Sequence, residues 1–462
     1  MKHARVLIVG AGPAGVRAAQ TLVAHGLRPV VVDEAARAGG QIYRHPPAAL
    51  GRSGRQLYGF DADQARAVHQ TFDALAERID WLPATQVWNV RGQTFELLHG
   101  PSRRVMQIDA SHAILATGAT DRALPVPGWT LPGSFTLGGA QVALKSQASL
   151  IGSRVVFMGS GPLLYLVAWQ YARAGGGVAA VLDTASPLTA WRAWPHLLAQ
   201  PGQLARGLVY MAGLRRRGVP MHGGVTIQRI EGAERVSAVV WQDARGRQHA
   251  TACDAVACGH GLRAETQLAD LLDCEFHFDP LQRAHLPRTD AAGRTSVPRL
   301  YLAGDGAAIR GARAAEAAGE LAALALLADG SVAVDATRMR ALERLLDRLT
   351  RFRRGLEQAF PWPPAWAAQT PDELVVCRCE NVTAGQLRAT VALAGSAEIN
   401  RVKALCRVGM GRCQGRMCAP AAAELLAYAS GWPLSRIGRL RAQAPIKPLP
   451  LDVQPGPEEA AP

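Results

Sequence analysis

The sequence predicts an α/β fold in which two nucleotide-binding units, one inserted in the other, precede a small helical domain. Two observations predict the sheets, and a third predicts the small domain. A short apolar run, a Gly-x-Gly loop, a helix-forming stretch and a second apolar run closing on an acid begin at Val6, and the same series begins again at Val155. Five of the eight cysteines, Cys377, Cys379, Cys406, Cys413 and Cys418, fall in one C-terminal stretch. A chain of 462 residues, 48% apolar and 19% charged, has the composition of two to four globular domains of roughly 150 residues each.

The first unit opens with Val6-Leu7-Ile8-Val9, a continuous apolar run expected of a strand buried on both faces. Gly10-Ala11-Gly12-Pro13-Ala14-Gly15 follows, then an Ala-rich helix to about His25, a strand at Val30-Val31-Val32, and Asp33-Glu34. This is a Rossmann-like fingerprint in its full context. Gly10 permits the tight turn, Gly12 lets a pyrophosphate approach the backbone, and Gly15 allows close helix–strand packing. Pro13 and Ala14 open the helix whose free amides meet the phosphates. Asp33 aligns with the ribose-binding acid, and Glu34 takes that role if the strand ends one residue later.

Two further loops specify the dinucleotide. Ala116-Thr117-Gly118 follows the apolar strand Ala113-Ile114-Leu115, and Gly304-Asp305 follows Leu300 to Ala303, ahead of a helix from about Ala312 to Leu327. Together these resemble the signatures of two-dinucleotide-domain flavoprotein reductases. The resemblance implies FAD, with Asp305 on the ribityl chain, Thr117, Gly118 and Gly304 lining the cofactor, and Gly40 and Gln41 of Gly39-Gly40-Gln41 beside the flavin.

The second unit runs Val155 to Met158, Gly159-Ser160-Gly161, a helix from about Leu163 to Arg173, the strand Val178 to Leu182, and Asp183. Leu164 stands where the third glycine belongs, which pushes helix and strand apart or alters phosphate placement. Asp183 favours a free ribose 2′-hydroxyl over a 2′-phosphate. Three readings stay open: a working NAD(H) site at Gly159, Gly161 and Asp183, an adenine nucleotide (NAD or ATP) held structurally, or an empty scaffold. Cys253, Cys258 and Cys274 lie in apolar surroundings and read as small hydrophobes, not as a redox dithiol.

In the C-terminal stretch Cys377-x-Cys379 is followed, after a thirty-three-residue spacer, by Cys413-x4-Cys418. Clustered cysteines in a chain without a secretory signal point to metal ligation before disulfides. Four thiolates so spaced suit a pair of tetrahedral irons, whereas structural zinc usually takes Cys-x2-4-Cys knuckles. Gly409, Gly411 and Gly415 permit a tight loop whose amides can donate to cluster sulfurs. The segment resembles the bacterioferritin-associated-ferredoxin-like [2Fe–2S] domain, with Cys377, Cys379, Cys413 and Cys418 as ligands. Cys406 falls outside the pattern and reads as a packed helix cysteine.

The domains are therefore expected at 1–145 with 288–350 (FAD), 150–287 (the inserted unit), 351–370 (a linker around Phe360-Pro361-Trp362-Pro363-Pro364), 371–430 (the cluster) and 431–462 (an extended tail). No run of about 18 apolar residues is present, so no membrane span is expected. Met1 to Arg5 lead straight into the first strand, leaving no room for a signal peptide and predicting a cytoplasmic protein. The net charge is +14, and all but four of the 51 basic residues are arginines scattered along the chain. Nucleic-acid binding would need a basic face or a module, and neither is present. Attraction to anionic nucleotides or to an acidic partner surface is the better reading.

The combination resembles the α or A-type subunits of opine oxidases, of hydrogen cyanide synthase and of heteromeric proline or hydroxyproline dehydrogenases. Gly39 to Arg44, Leu124 to Trp129, Gly159 to Leu164 and Pro445 to Pro448 carry the resemblance. It implies oxidation of an amine, imino acid or opine on a β subunit like D-amino-acid oxidases. A small ferredoxin-like subunit is a further partner, and the acceptor chain gives room for peripheral membrane association. The present chain would route electrons through flavin and cluster. No residue announces a catalytic acid or base, and Arg122 and His260 read as phosphate or structural contacts. The stretch Trp191 to Tyr210 is a partner-docking face or a set of buried helices. Two rival functions are a self-sufficient NAD(P)H-dependent reductase and a non-catalytic iron–sulfur carrier. Whether an FMN lies at a subunit contact stays open.

Overall fold

The computed structural model describes residues 5–47 and 53–455. The first unit contains β1 (Val6–Val9), α1 (Pro13–Ala24), β2 (Val30–Val32), α2 (Gly54–Tyr58), α3 (Ala62–Asp73) and β3 (Asp80–Leu82). A meander of β4 (Thr85–Arg91), β5 (Thr94–His99) and β6 (Arg104–Asp109) leads to β7 (His112–Leu115). The main sheet has the parallel order β20-β7-β1-β2-β3, β20 (Leu300–Leu302) arriving almost two hundred residues after β7. β1 is buried along its length because both faces are covered. Leu7 and Val9 pack with Val87, Phe95 and Leu97 of the meander, and Ile8 packs with the helices on the other side.

β8 (Ala119–Asp121) crosses to the inserted unit, which comprises β9 (Ser134–Thr136), α4 (Leu137–Ser146), β10 (Arg154–Ser160), α5 (Pro162–Arg173), β11 (Gly177–Asp183), α6 (Pro187–Arg192), α7 (Trp194–Leu197), α8 (Pro201–Arg216), β12 (Met221–Gly223), an antiparallel sheet of β13 (Thr226–Glu231), β14 (Ala238–Gln242) and β15 (Gln248–Ala252), and β16 (Ala255–His260). Its parallel sheet is ordered β12-β11-β10-β16-β9. The return strand β17 (Leu262–Ala264) pairs antiparallel with β8. This corrects the expected 145/150 and 287 boundaries. Ser134 to Thr136 pairs with Val256 to Cys258, so the insertion lies between Asp121 and Leu262. A three-residue edge strand and a helix without a glycine fingerprint gave no local sign of which sheet they join.

After α9 (Gln267–Leu271) and the hairpin β18 (Phe276–Asp279) and β19 (Ala284–Pro287), the chain completes the first sheet with β20 and packs α10 (Ala312–Asp329) onto α1. The contact is backbone to backbone, since a Cβ at Gly319 would lie 2.0 Å from the Ala14 carbonyl oxygen. α11 (Ala336–Ala359) then runs nine residues into the segment expected to be a linker. Leu342, Leu346 and Leu349 bury against the first unit, while Phe352, Leu356 and Ala359 pack on Ala193 and Leu197 of the insertion. That apolar stripe has helical spacing; the arginines between its members hid it.

The cysteine domain follows α12 (Trp366–Gln369) as β21 (Val375–Cys377), β22 (Val382–Thr383), α13 (Ala384–Ala394), α14 (Ile399–Cys406) and α15 (Ala419–Ser430). Beyond it, α16 (Leu434–Ile437) adds one helical turn to the segment expected to be extended. The rest of the tail lies along the first unit. Ile446 is buried and its N–H donates to the Trp88 carbonyl, and β23 (Gln454–Pro455) pairs parallel with β6. Residues 456–462 of the expected tail lie outside the described residues. Among the described residues no helix is long and apolar enough to cross a membrane.

Candidate cofactor sites and the bridge between them

The first loop has no room for side chains. A Cβ on Gly10 would lie 2.4 Å from the Ala116 oxygen, and one on Gly15 would lie 1.8 Å from the Gly10 oxygen. Gly40 lies against Gly12, a Cβ there falling 2.8 Å from the Gly12 Cα. α1 starts at Pro13 with no side-chain cap, so its first amides keep their hydrogen-bonding capacity. Asp33 holds the loop closed: Oδ2 accepts from Ala11 N–H at 2.6 Å and Oδ1 from Ala35 N–H at 2.7 Å. Burial raises its carboxyl pKa in spite of these bonds. Glu34 is the acid that faces outward, and it pairs with Lys447 of the tail at 2.6 Å.

Thr117-Gly118 and Gly304-Asp305 come together as the sequence anticipates, since a Cβ on Gly306 would meet Thr117 Oγ1 at 2.6 Å. Asp305 Oδ1 accepts from the amides of Arg310 and Gly311, just ahead of the uncapped N-terminus of α10. Gln41 accepts from Arg44. Arg44 and Arg310 each bury an Nε that lacks a partner among the described residues. A buried guanidinium donor is costly to leave unmade, and two of them beside these loops fit an anionic dinucleotide.

In the inserted unit Gly159 is equally necessary, with a Cβ falling 1.8 Å from the Gly259 oxygen. Gly161 precedes α5, and Leu164 is fully buried in the unit's core. Asp183 is 3% exposed and fully engaged: Tyr165 donates its hydroxyl to Oδ2 at 2.6 Å, and Ala185 N–H donates to Oδ1 at 2.8 Å. Burial pushes its carboxyl up to about 6. The next residue, where Glu34 stands in the first unit, is Thr184, which donates to the Gly159 carbonyl.

Open α/β sheets bind ligands outside the carboxyl ends of their strands, where the strand order reverses. Here that place lies between β10 and β16, and the chain's own side chains meet at the strand ends. Ser160 Oγ is 3.2 Å from His260 Nδ1, and the His260 ring faces Trp362 with centroids 6.0 Å apart. Arg122 lies over the Trp362 ring at 5.2 Å, donates Nε–H to the His260 carbonyl at 2.7 Å and sits 3.7 Å from Glu357. Phe360 stands 6.4 Å from the Tyr165 ring. Burial, aided by Arg122, pushes the His260 imidazole down to about 3. Arg122 and His260 are thus structural contacts.

The four pattern cysteines gather in the C-terminal domain, their thiols linked in the order Cys379, Cys413, Cys418, Cys377. Hydrogen bonding from Cys418 and from the Gly409, Glu380 and Cys379 amides holds the Cys377 thiol down near 6, against the effect of burial. Cys413 is lowered in the same way, and Cys418 is correspondingly raised. Gly411 lies directly against Cys379, since its Cβ would be 2.3 Å from that of Cys379. Four cysteines gathered in this way form a donor set that fits a two-iron centre. Cys406 is not in the string. Burial raises the thiols of Cys253, Cys258 and Cys274, which keeps them inert.

The two sites are joined by residues the motifs did not single out. Thr117 Oγ1 donates to the Glu265 carbonyl at 2.7 Å, and Glu265 N–H donates to the Gly118 carbonyl at 3.0 Å. The Glu265 carboxylate pairs with Arg416 of the cysteine loop at 2.7 Å, and Arg416 holds it ionised despite its burial. Gln267 donates to the Gln414 carbonyl at 2.7 Å, and Arg263 to those of Gly415 and Arg416. The loops expected to hold flavin and cluster are therefore one ion pair apart. The sequence sign of it is an arginine two residues before Cys418.

A dinucleotide fold carrying a second such unit and a four-cysteine loop defines a flavin- and [2Fe–2S]-dependent oxidoreductase component. The chain belongs to the pyridine nucleotide-disulphide oxidoreductase family, whose model matches residues 4–320, and its residues 375–428 match the BFD-like [2Fe-2S] binding domain. The A-type subunit of opine oxidase from Rhizobium meliloti is 37% identical, the match covering 96% of this chain and 86% of the relative. The HcnB subunit of hydrogen cyanide synthase from Pseudomonas aeruginosa is 34% identical, over 97% of each chain. The crystal structure of L-proline dehydrogenase from P. horikoshii superposes with a TM-score of 0.71 at 21% identity, covering 97% of this chain and 79% of that one. The resemblance read from the motifs, the fold class, FAD and the [2Fe–2S] cluster are borne out.

Proposed function

We propose that this chain is the electron-carrying subunit of a heteromeric cytoplasmic enzyme whose D-amino-acid-oxidase-like β subunit oxidises an amine, imino acid or opine-like substrate. Gly10, Gly12, Pro13, Ala14 and Gly15 hold the FAD pyrophosphate, and Glu34 takes the ribose while Asp33 closes the loop. Gly40, Gln41, Thr117, Gly118, Gly304 and Asp305 hold the flavin half, and Cys377, Cys379, Cys413 and Cys418 ligate the cluster. When bound, flavin takes up an electron pair and releases it singly, and the iron–sulfur centre carries single electrons onward to an acceptor.

The bridge Gly118–Glu265–Arg416 carries this reading. It fixes the two cofactor loops against each other and needs no moving part to bring the centres together. We read the inserted unit as scaffold, because Trp362 packs on His260 at the carboxyl end of β16 and Asp183 is engaged by Tyr165. That favours electrons arriving from a partner over a self-sufficient NAD(P)H reductase. The test is anaerobic spectroscopy on the holoprotein. Flavin absorption, about two irons per chain and a flavin unchanged by NADH are expected. Rapid bleaching by NADH supports the reductase, and a chain that retains no flavin supports the bare iron–sulfur carrier.

A further inference from the structure

The inserted unit carries an apolar surface that nothing in the described chain covers. α8 is 16 residues long, and Leu214 is its only buried residue. Its inner side is accounted for. Leu204 packs with Phe352 and Leu356 of α11, Tyr210 stands 5.9 Å from Phe60, and Gly213 seats the helix on the Trp169 ring. The outer side presents Gly202, Ala205, Leu208 and Val209 to solvent. Beside it, α6, α7 and the residue that follows α7 expose Leu188 (73%), Trp191 (75%), Trp194 and Leu198. A soluble chain rarely leaves so many large apolar side chains together in water unless another surface covers them.

The charge of this region identifies what covers it. Between Asp183 and Glu231 the chain has six arginines and no aspartate or glutamate, and of the six Arg206 pairs with Asp61 and Arg229 with Glu231. Arg192, Arg215 and Arg216 are exposed. Tryptophan and arginine enriched while acids and lysine are absent is the composition of a protein–protein contact with an apolar centre. A second copy would set like charge against like charge. A lipid surface would need a bulky stripe to insert, whereas the outward face of α8 includes Gly202 and Ala205, which admit close approach of another backbone.

We propose that the outer face of α6, α7 and α8 docks the β subunit, through an apolar patch on that partner rimmed by Asp and Glu. The proposal rests on the heteromeric reading above. Trp191 and Leu208 anchor the contact, and the arginines steer the acidic rim, which makes association faster at low ionic strength.

The test uses the full holoprotein co-expressed with its oxidase-like partner, with complex formation read by light scattering after size exclusion. Trp191→Asp combined with Leu208→Asp is expected to weaken the complex at least about 100-fold, with flavin, iron and melting temperature unchanged. Arg192→Glu with Arg216→Glu is expected to slow association and to flatten its dependence on NaCl between about 50 and about 500 mM. A doubly substituted chain that binds as the wild type does overturns this surface and leaves the heteromeric reading intact. If the wild type forms no complex, the heteromeric reading falls and this surface with it. Sedimentation of the wild type with vesicles containing about 30 mol% phosphatidylglycerol, lost in the double variant, assigns the face to a membrane and overturns the proposal.

Discussion

Glu265 and Arg416 meet at 2.7 Å with each side chain 12% exposed, and they join a strand returning from the inserted unit to the loop that carries two of the cysteines. Both charges are largely withdrawn from solvent, so each depends on the other. Glu265→Gln strands the guanidinium and is expected to cost about 3–5 kcal/mol, while Glu265→Leu with Arg416→Met recovers most of that loss. Melting of the two variants beside the wild type checks it. A double variant no more stable than Glu265→Gln shows instead that the ion pair itself is needed for stability.

Gly411→Ala drives a methyl group into Cys379. Iron content is expected to fall well below the wild-type value of about two per chain, with the flavin retained. Gly395→Ala is the control, because its Cβ meets nothing within 4 Å and costs only about 1 kcal/mol in backbone strain. Metal analysis of both proteins decides the matter.

NADH at millimolar concentration is expected to leave the melting temperature of the wild type unchanged. A ligand present at a hundredfold excess over its Kd would add about 2.7 kcal/mol. Trp362→Ala removes the ring that packs on both Arg122 and His260 and is expected to destabilise the chain by about 3–5 kcal/mol. Differential scanning fluorimetry with and without nucleotide reads both effects.

Asp183 gives a pH signature. Its carboxyl is pushed up to about 6 in the folded chain from an ordinary 3.8. A raised acid stabilises the fold below the unfolded value, and that contribution is lost as pH rises through about 6. The wild type should therefore lose ground to Asp183→Asn between pH 4 and pH 7, by roughly 3 kcal/mol at most. Parallel curves for the two proteins over that range would contradict the burial argument.

Legibility followed the range of the interaction. Gly10, Gly15 and Gly159 answer to backbone atoms a few residues away or in the adjacent strand, so spacing alone exposed them. The cysteines were legible because two thiols on each short segment leave a local pattern. Glu265 and Lys447 were not, since their partners Arg416 and Glu34 lie 151 and more than 400 residues distant. Arg351, Arg353 and Arg354 masked the stripe that carries α11 through Phe352 and Leu356. Asp33 and Glu34 both looked fit to read a ribose, and only the hydrogen bonds from Ala11 and Ala35 separate them.

The pairing of Gln454 with Arg104 has a bearing on how the polypeptide is made. The meander beside β6 stays unfinished until Gln454 has been translated, and β7 lacks its outer neighbour until Leu300 emerges. The N-terminal third thus leaves the ribosome with two open sheet edges. Contacts of such long sequence separation form slowly, so a nascent chain released early would expose both edges to neighbouring copies.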